Sequence, residues 1–113
     1  MRLITVLSAS LILTACTTLD ETVDSAPTVT IQSERSVSDL VDCINSAWVL
    51  QATVESMPIP GGQRLYTKDS DRIGPAHVAE IAGHGKGAVV RYWQNTHQQA
   101  HEFGDPIMRC TKG

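Results

Sequence analysis

The chain lacks every composition or motif that would assign it a chemistry directly. Basic residues are not in excess: 9 Lys and Arg stand against 12 Asp and Glu in 113 residues, a formal net charge of −3. That balance speaks against nucleic-acid binding through a basic patch. No internal repeat is present. The uncharged apolar stretch at residues 3–13 falls short of the roughly 20 residues that a helix needs to cross a hydrocarbon core of about 30 Å. The 3 cysteines contain no Cys-x-x-Cys pair, so the spacing of a redox motif is missing. Gly83, Gly85 and Gly87 lack both the Gly-Lys-Ser/Thr ending and the following helix of a phosphate loop, and read as the glycines of a hairpin tip. No serine lies in a nucleophile elbow. Asp69 and Asp71 stand beside Lys68 and Arg72, the composition of a solvated loop. Nothing in this inventory argues for catalysis, and no cofactor is implied.

What is present begins at the first residues. Arg2 supplies a positive charge, residues 3–13 are uncharged and mainly apolar, and Leu13-Thr14-Ala15-Cys16 closes the segment with small residues before a cysteine. A basic start, an apolar middle and a small-residue end form the layout of a secretory signal. The segment resembles the signal peptides of bacterial lipoproteins, whose lipobox is an aliphatic residue, a small residue, Ala or Gly, and a cysteine. The resemblance covers residues 1–16. It implies cleavage after residue 15, a diacylglycerol thioether on Cys16 and a further acyl chain such as palmitate on its new amino group. Two or more chains anchor stably where one is marginal. Thr17 follows the cysteine in place of the Asp that retains such chains at the inner membrane of enteric-type bacteria. The implied location is the cell envelope, at the outer membrane facing the periplasm.

Under that resemblance the chain divides into a signal peptide at 1–15, a lipidated Cys16 with a tether through residue 35, and one small domain at 36–113. Without Arg2, 8 of the 9 basic residues face 12 acidic ones. Residues 17–35 hold Asp20, Glu21, Asp24 and Glu34 among many Ser and Thr, which reads as a flexible tether with a root-mean-square reach of about 25 Å. Lipidation of Cys16 leaves Cys43 and Cys110 as an even pair in an oxidising compartment, and a disulfide between them is expected. The chain-entropy model assigns such a loop roughly 4 kcal/mol.

Within the domain, Ser36 as N-cap and Asp39 in the first turn predict a helix start, and Val37, Leu40, Val41, Ile44 and Trp48 form a stripe at helical spacing. Alternation of Trp48, Leu50, Ala52 and Val54 predicts a strand stopped by the run Pro58-Ile59-Pro60-Gly61-Gly62. A turn at Pro60-Gly61 would pair Val54 with Thr67 and Ser56 with Leu65. A second hairpin, with strands at 77–82 and 88–94 and its tip at Gly85-Lys86, sets Ile81 opposite Val90 and Ala79 opposite Tyr92 on the core face. On the other face it sets Glu80 opposite Arg91, as an ion pair, and Val78 opposite Trp93. Residues 96–103 read as a polar helix, with a separate short turn from Asp105-Pro106 carrying Ile107, Met108 and Cys110 back to the first helix. The expected class is α+β: an antiparallel sheet of about four strands flanked by an N-terminal and a C-terminal helix, closed by one disulfide.

Two sets of residues are candidates for function. Val78, Val89, Arg91 and Trp93 share one sheet face, and Trp and Arg are favoured at interaction hot spots. Packing of Trp93 beneath a helix or chain end is the competing reading. His97 and His101, four apart on one helix face, are a weaker pair of metal ligands; Gln98 stands where a His-Glu-x-x-His site has its general base. The expected function is non-enzymatic: an anchored envelope protein that binds another envelope component or an incoming protein, with a periplasmic metal- or small-ligand-binding module as the alternative.

Overall fold

The computed structural model describes residues 19–68, 74–96 and 99–112. The elements run α1 (Leu19–Asp24), β1 (Val29–Ser33), α2 (Val37–Trp48), β2 (Thr53–Ile59), β3 (Gly62–Lys68), β4 (His77–His84), β5 (Gly87–Gln94) and α3 (Ala100–Thr111). The five strands form one antiparallel sheet in the order β1-β5-β4-β3-β2. The class is α+β as expected, with five strands instead of four.

The capping chemistry of α2 is the expected one. Ser36 has extended backbone and its hydroxyl accepts from the Asp39 amide at 3.1 Å, which satisfies one of the free N–H groups at the helix start. Leu40, Ile44 and Trp48, four apart, are fully buried against the sheet. Trp48 belongs to this stripe and not to a strand. Residues 49–52 turn instead, with the amides of Gln51 and Ala52 both donating to the Trp48 carbonyl. Leu50, expected in a strand, is 80% exposed there, and β2 begins only at Thr53. The strand ends within the expected run, at Ile59, and Pro58 is accommodated inside it because β2 is at the sheet edge, where a missing N–H costs no ladder bond.

Both hairpins carry the expected register. Val54 pairs with Thr67 and Ser56 with Leu65 around Pro60-Gly61, where Gly61 takes the positive φ of 79° that the third position of a type II turn requires. In the β4–β5 hairpin, Ile81 lies opposite Val90, Ala79 opposite Tyr92, Glu80 opposite Arg91 and Val78 opposite Trp93. Gly87 has a further reason to be glycine: a Cβ there would lie 1.9 Å from the Ser33 carbonyl oxygen, because the end of β1 passes directly against it.

Residues 17–35, expected as tether, contain α1 and β1. Val29 and Ile31 point inward opposite Tyr92 and Val90, while Thr30 and Gln32 are exposed. The domain boundary at residue 36 therefore moves N-terminally, and the sheet gains its fifth strand. At the end of β1, Ser33 Oγ donates to the Thr111 carbonyl at 2.9 Å, and just beyond it Arg35 Nη1 donates to the Cys110 carbonyl at 2.8 Å. Carbonyls at the C-terminus of α3, which lack helical partners, are thereby satisfied, one of them by a cation at the negative end of the helix dipole.

The C-terminal segment is one helix, not two pieces. Phe103, Ile107 and Cys110 continue a single buried stripe through Pro106. Pro106 has no N–H for the Glu102 carbonyl. One residue on, the Phe103 carbonyl accepts from Trp48 Nε1 at 3.0 Å. That bond and the Cys43–Cys110 disulfide, with its Cα atoms 5.8 Å apart, tie α2 and α3 in opposite directions across the same sheet face. The core lies between them and Leu65, Ala79, Ile81, Ala88, Val90 and Tyr92.

Candidate functional site

Side chains alternate across a strand, so the register that sends Leu65, Ala79, Ile81, Val90 and Tyr92 toward the helices sends Arg64, Tyr66, Val78, Glu80, Ala82, Val89, Arg91 and Trp93 to the outer face. The outer face is divided in two by the chain's own N-terminal segment. Trp93 is 3% exposed, and its Nε1 donates to the Ser25 carbonyl just beyond α1. Thr22 of α1 is buried, and its hydroxyl accepts from Asn95 Nδ2 at 2.9 Å, a group that also donates to the Pro75 carbonyl. Val78 is buried in the same layer. Two of the four residues expected on an interaction surface are thus buried, with the segment just after α1 bonded to Trp93.

The other two remain accessible. Val89 is half-buried and Arg91 exposed. With Ile59, Pro60, Arg64, Glu80 and Ala82 they line a shallow hollow of about 240 Å³ toward the hairpin-tip end of the face. Its charge arrangement corrects a second expectation. Glu80 stands between Arg64 and Arg91 in the register, and its carboxylate pairs with Arg64, not Arg91. Arg64 Nε and Nη2 both donate to Glu80 Oε2, at 2.8 and 2.6 Å, and Nη1 lies 3.5 Å from Met57 Sδ. Both partners are largely buried, which holds the pair in one geometry. The Arg91 side chain makes no hydrogen bond or ion pair with a described residue. The hollow therefore offers an apolar floor from Ile59, Ala82 and Val89, a neutralised Arg64–Glu80 pair, and one uncompensated guanidinium in a chain of net negative charge. Such a surface fits a carboxylate flanked by apolar side chains.

His97 lies outside the described residues, as does Cys16. His101 is exposed on α3, 3.8 Å from Asp105 one turn on, and His84 is exposed at the hairpin tip. Among the described residues no three His, Cys, Asp or Glu side chains are grouped as metal ligands, and no helix is long and apolar enough to cross a membrane.

One constellation was not expected from sequence. His77, 2% exposed, bonds through Nδ1 to the Tyr92 hydroxyl at 2.7 Å. Its ring stacks on Phe103 with centroids 4.1 Å apart, and Trp48 meets His77, Tyr92 and Phe103 edge-on. Burial raises the Tyr92 phenol well above its ordinary value of 10.0 and keeps it neutral. The cluster joins β4, β5, α2 and α3 beneath the surface, so it fastens layers together instead of meeting solutes. Its signal was available in the second hairpin: if Ala79 and Ile81 face the core, so does His77 two residues earlier.

The chain matches no protein-family model, no curated protein and no solved structure.

Proposed function

We propose that this protein is a lipid-anchored component of a bacterial cell envelope that acts without catalysis, by holding a protein partner on the open half of its outer sheet face. The anchor is the acylated Cys16 that the lipobox-like run Leu13-Thr14-Ala15-Cys16 implies, and the side is the periplasmic face of the outer membrane. The observation that carries the binding role is the free Arg91 guanidinium at the rim of an apolar hollow whose other charges cancel. An exposed arginine over apolar surface is a favoured interaction anchor, and the partner's matching group is a carboxylate. The disulfide keeps the domain closed in an oxidising compartment.

The test is capture of the native envelope partner by crosslinking in the producing cell, followed by titration of that partner against Arg91→Glu and Val89→Asp. Each substitution is expected to weaken binding about 10- to 30-fold while leaving the melting temperature within a few degrees of the parent. Unchanged affinity in both variants would refute this face as the binding surface.

A further inference from the structure

The attachment of α1 to the sheet changes how far the domain can stand from a membrane. The tether expected over residues 17–35 would carry the domain about 25 Å from its anchor in any orientation. The structure takes most of that length away: α1 begins at Leu19, α1 is held to the sheet through Thr22, Asn95, Ser25 and Trp93, and β1 follows as a paired strand. Between Cys16 and Leu19 only three Cα steps remain, a span of at most about 11 Å.

The position of Leu19 then selects which part of the domain lies nearest the anchor. Leu19 lines a hollow of about 390 Å³ with Glu55, Tyr66, Thr67, Lys68, Gly74 and Pro75. These residues mark the end of the sheet where β3 finishes and β4 begins. The opposite end carries both hairpin tips, Pro60-Gly61 and Gly85-Lys86, and the hollow beside Arg91. The 8 residues of β4 separate the two ends by about 24 Å.

We infer that the sheet end bearing Leu19, Tyr66, Lys68 and Pro75 is a membrane-contacting pole that rests at the lipid headgroups, with the hairpin tips as the distal pole. The inference rests on acylation of Cys16, as the proposed function does. Half-buried Tyr66 and exposed Lys68, whose ammonium lies 3.6 Å from the Glu55 carboxylate, stand at that pole, and an aromatic ring with a polar tip and a long cationic chain are both favoured at a headgroup interface. The consequence for binding is a limit of distance: the hollow beside Arg91 lies within about 35 Å of the bilayer, the short leash plus the length of the sheet. A partner fitting that limit is a membrane protein or another anchored protein that presents its carboxylate-bearing segment close to the lipid surface.

The experiment places the full acylated chain in lipid nanodiscs containing a gadolinium-chelate headgroup lipid and reads paramagnetic broadening amide by amide. Broadening is expected to be at least about tenfold greater at Lys68, Gly74 and Ala76 than at Gly61, Gly85 and Lys86, given the steep distance dependence over the roughly 24 Å between the poles. Inserting 20 Gly/Ser residues between Thr18 and Leu19 should erase that contrast while leaving chemical shifts within the sheet unchanged. Equal broadening at both poles in the native chain, or greater broadening at the tips, overturns the inference. The mass of the mature N-terminus is read on the same sample. An acylated Cys16 with equal broadening refutes the orientation alone, whereas a chain that carries no acyl group and does not bind the discs refutes the anchor and the orientation with it.

Discussion

Replacing Tyr92 with Phe removes one oxygen from the centre of the molecule and nothing else, and the structure says what that oxygen does. The ring would keep its edge-on contact with Trp48, and the core around it would keep its shape. What would vanish is the 2.7 Å bond to His77 Nδ1 in a site closed to solvent. Loss of a buried hydrogen-bond partner costs about 1–3 kcal/mol, which in a domain of this size lowers the melting temperature by roughly 5–20 °C at neutral pH. The alkaline range adds a second, oppositely signed effect. Burial holds the folded phenol above its ordinary value of 10.0, so above pH 10 the unfolded chain releases the Tyr92 proton while the folded one keeps it. The unfolded state then binds fewer protons, and parental stability falls with rising pH by about 1.4 kcal/mol per unit from this group. Tyr92→Phe carries no such proton. Its deficit should therefore be full at pH 7–9 and should shrink between pH 10 and 12, where the two stability curves converge. Urea unfolding of both proteins at each pH, followed by far-ultraviolet circular dichroism, measures this directly. A deficit below about 0.5 kcal/mol at pH 8 would refute the worth of the His77 bond. A deficit constant from pH 8 to 12 would refute burial of the phenol.

Two further perturbations test the framework around that centre. Reduction of Cys43–Cys110, which are 67 residues apart, should cost about 4 kcal/mol in the chain-entropy model, read as a lower urea midpoint in reductant; an unchanged midpoint would mean that α2 and α3 hold each other without the bond. Gly87→Ala places a methyl group 1.9 Å from the Ser33 carbonyl oxygen, so β1 must shift or detach. Hydrogen exchange should accelerate selectively in Val29–Ser33 and its β5 partners, and protection equal to the parent's would count against the close approach of these strands.

The parts of the fold legible in the sequence were those whose signals are local and mutually consistent. Ser36 and Asp39 marked a helix start, and the tips Pro60-Gly61 and Gly85-Lys86 set two registers residue by residue, because turn chemistry and side-chain alternation point to the same pairing. Trp48 misled because one apolar residue can end a helical stripe and begin an alternating one; its burial with Leu40 and Ile44 decides for the helix, and Leu50 is left in solvent. Asp105-Pro106 misled in another way. A proline is a helix breaker in isolation, but here the buried positions 103, 107 and 110 hold one helix across it and a tryptophan indole bonds a neighbouring carbonyl. Alternation in the second hairpin alone pairs Glu80 with Arg91 on β5, whereas Arg64 on β3 lies equally close in register and is the less exposed of the two arginines.

The largest difference, the stretch before residue 36, shows how composition can conceal a strand. Ser, Thr and acidic residues suggested a solvated linker, yet Val29 and Ile31 alternate with Thr30 and Gln32, the period of a sheet edge with one wet face, and Thr is itself a β-branched strand former. Their pairing with β5 has consequences beyond one added strand. It draws the preceding residues onto the outer face, where the Ser25 carbonyl bonds Trp93 and Thr22 bonds Asn95, and leaves the hollow beside Arg91 accessible at the hairpin-tip end. The same crossing brings Leu19 to the end of the sheet away from that hollow. One strand assignment thus links the size of the exposed face, its position at the hairpin-tip end and the length of chain left before α1. The proposed anchor at Cys16 and the proposed binding surface at Arg91 would then belong to opposite ends of the sheet, and breaking the Trp93 to Ser25 contact would lengthen the leash and enlarge the face together.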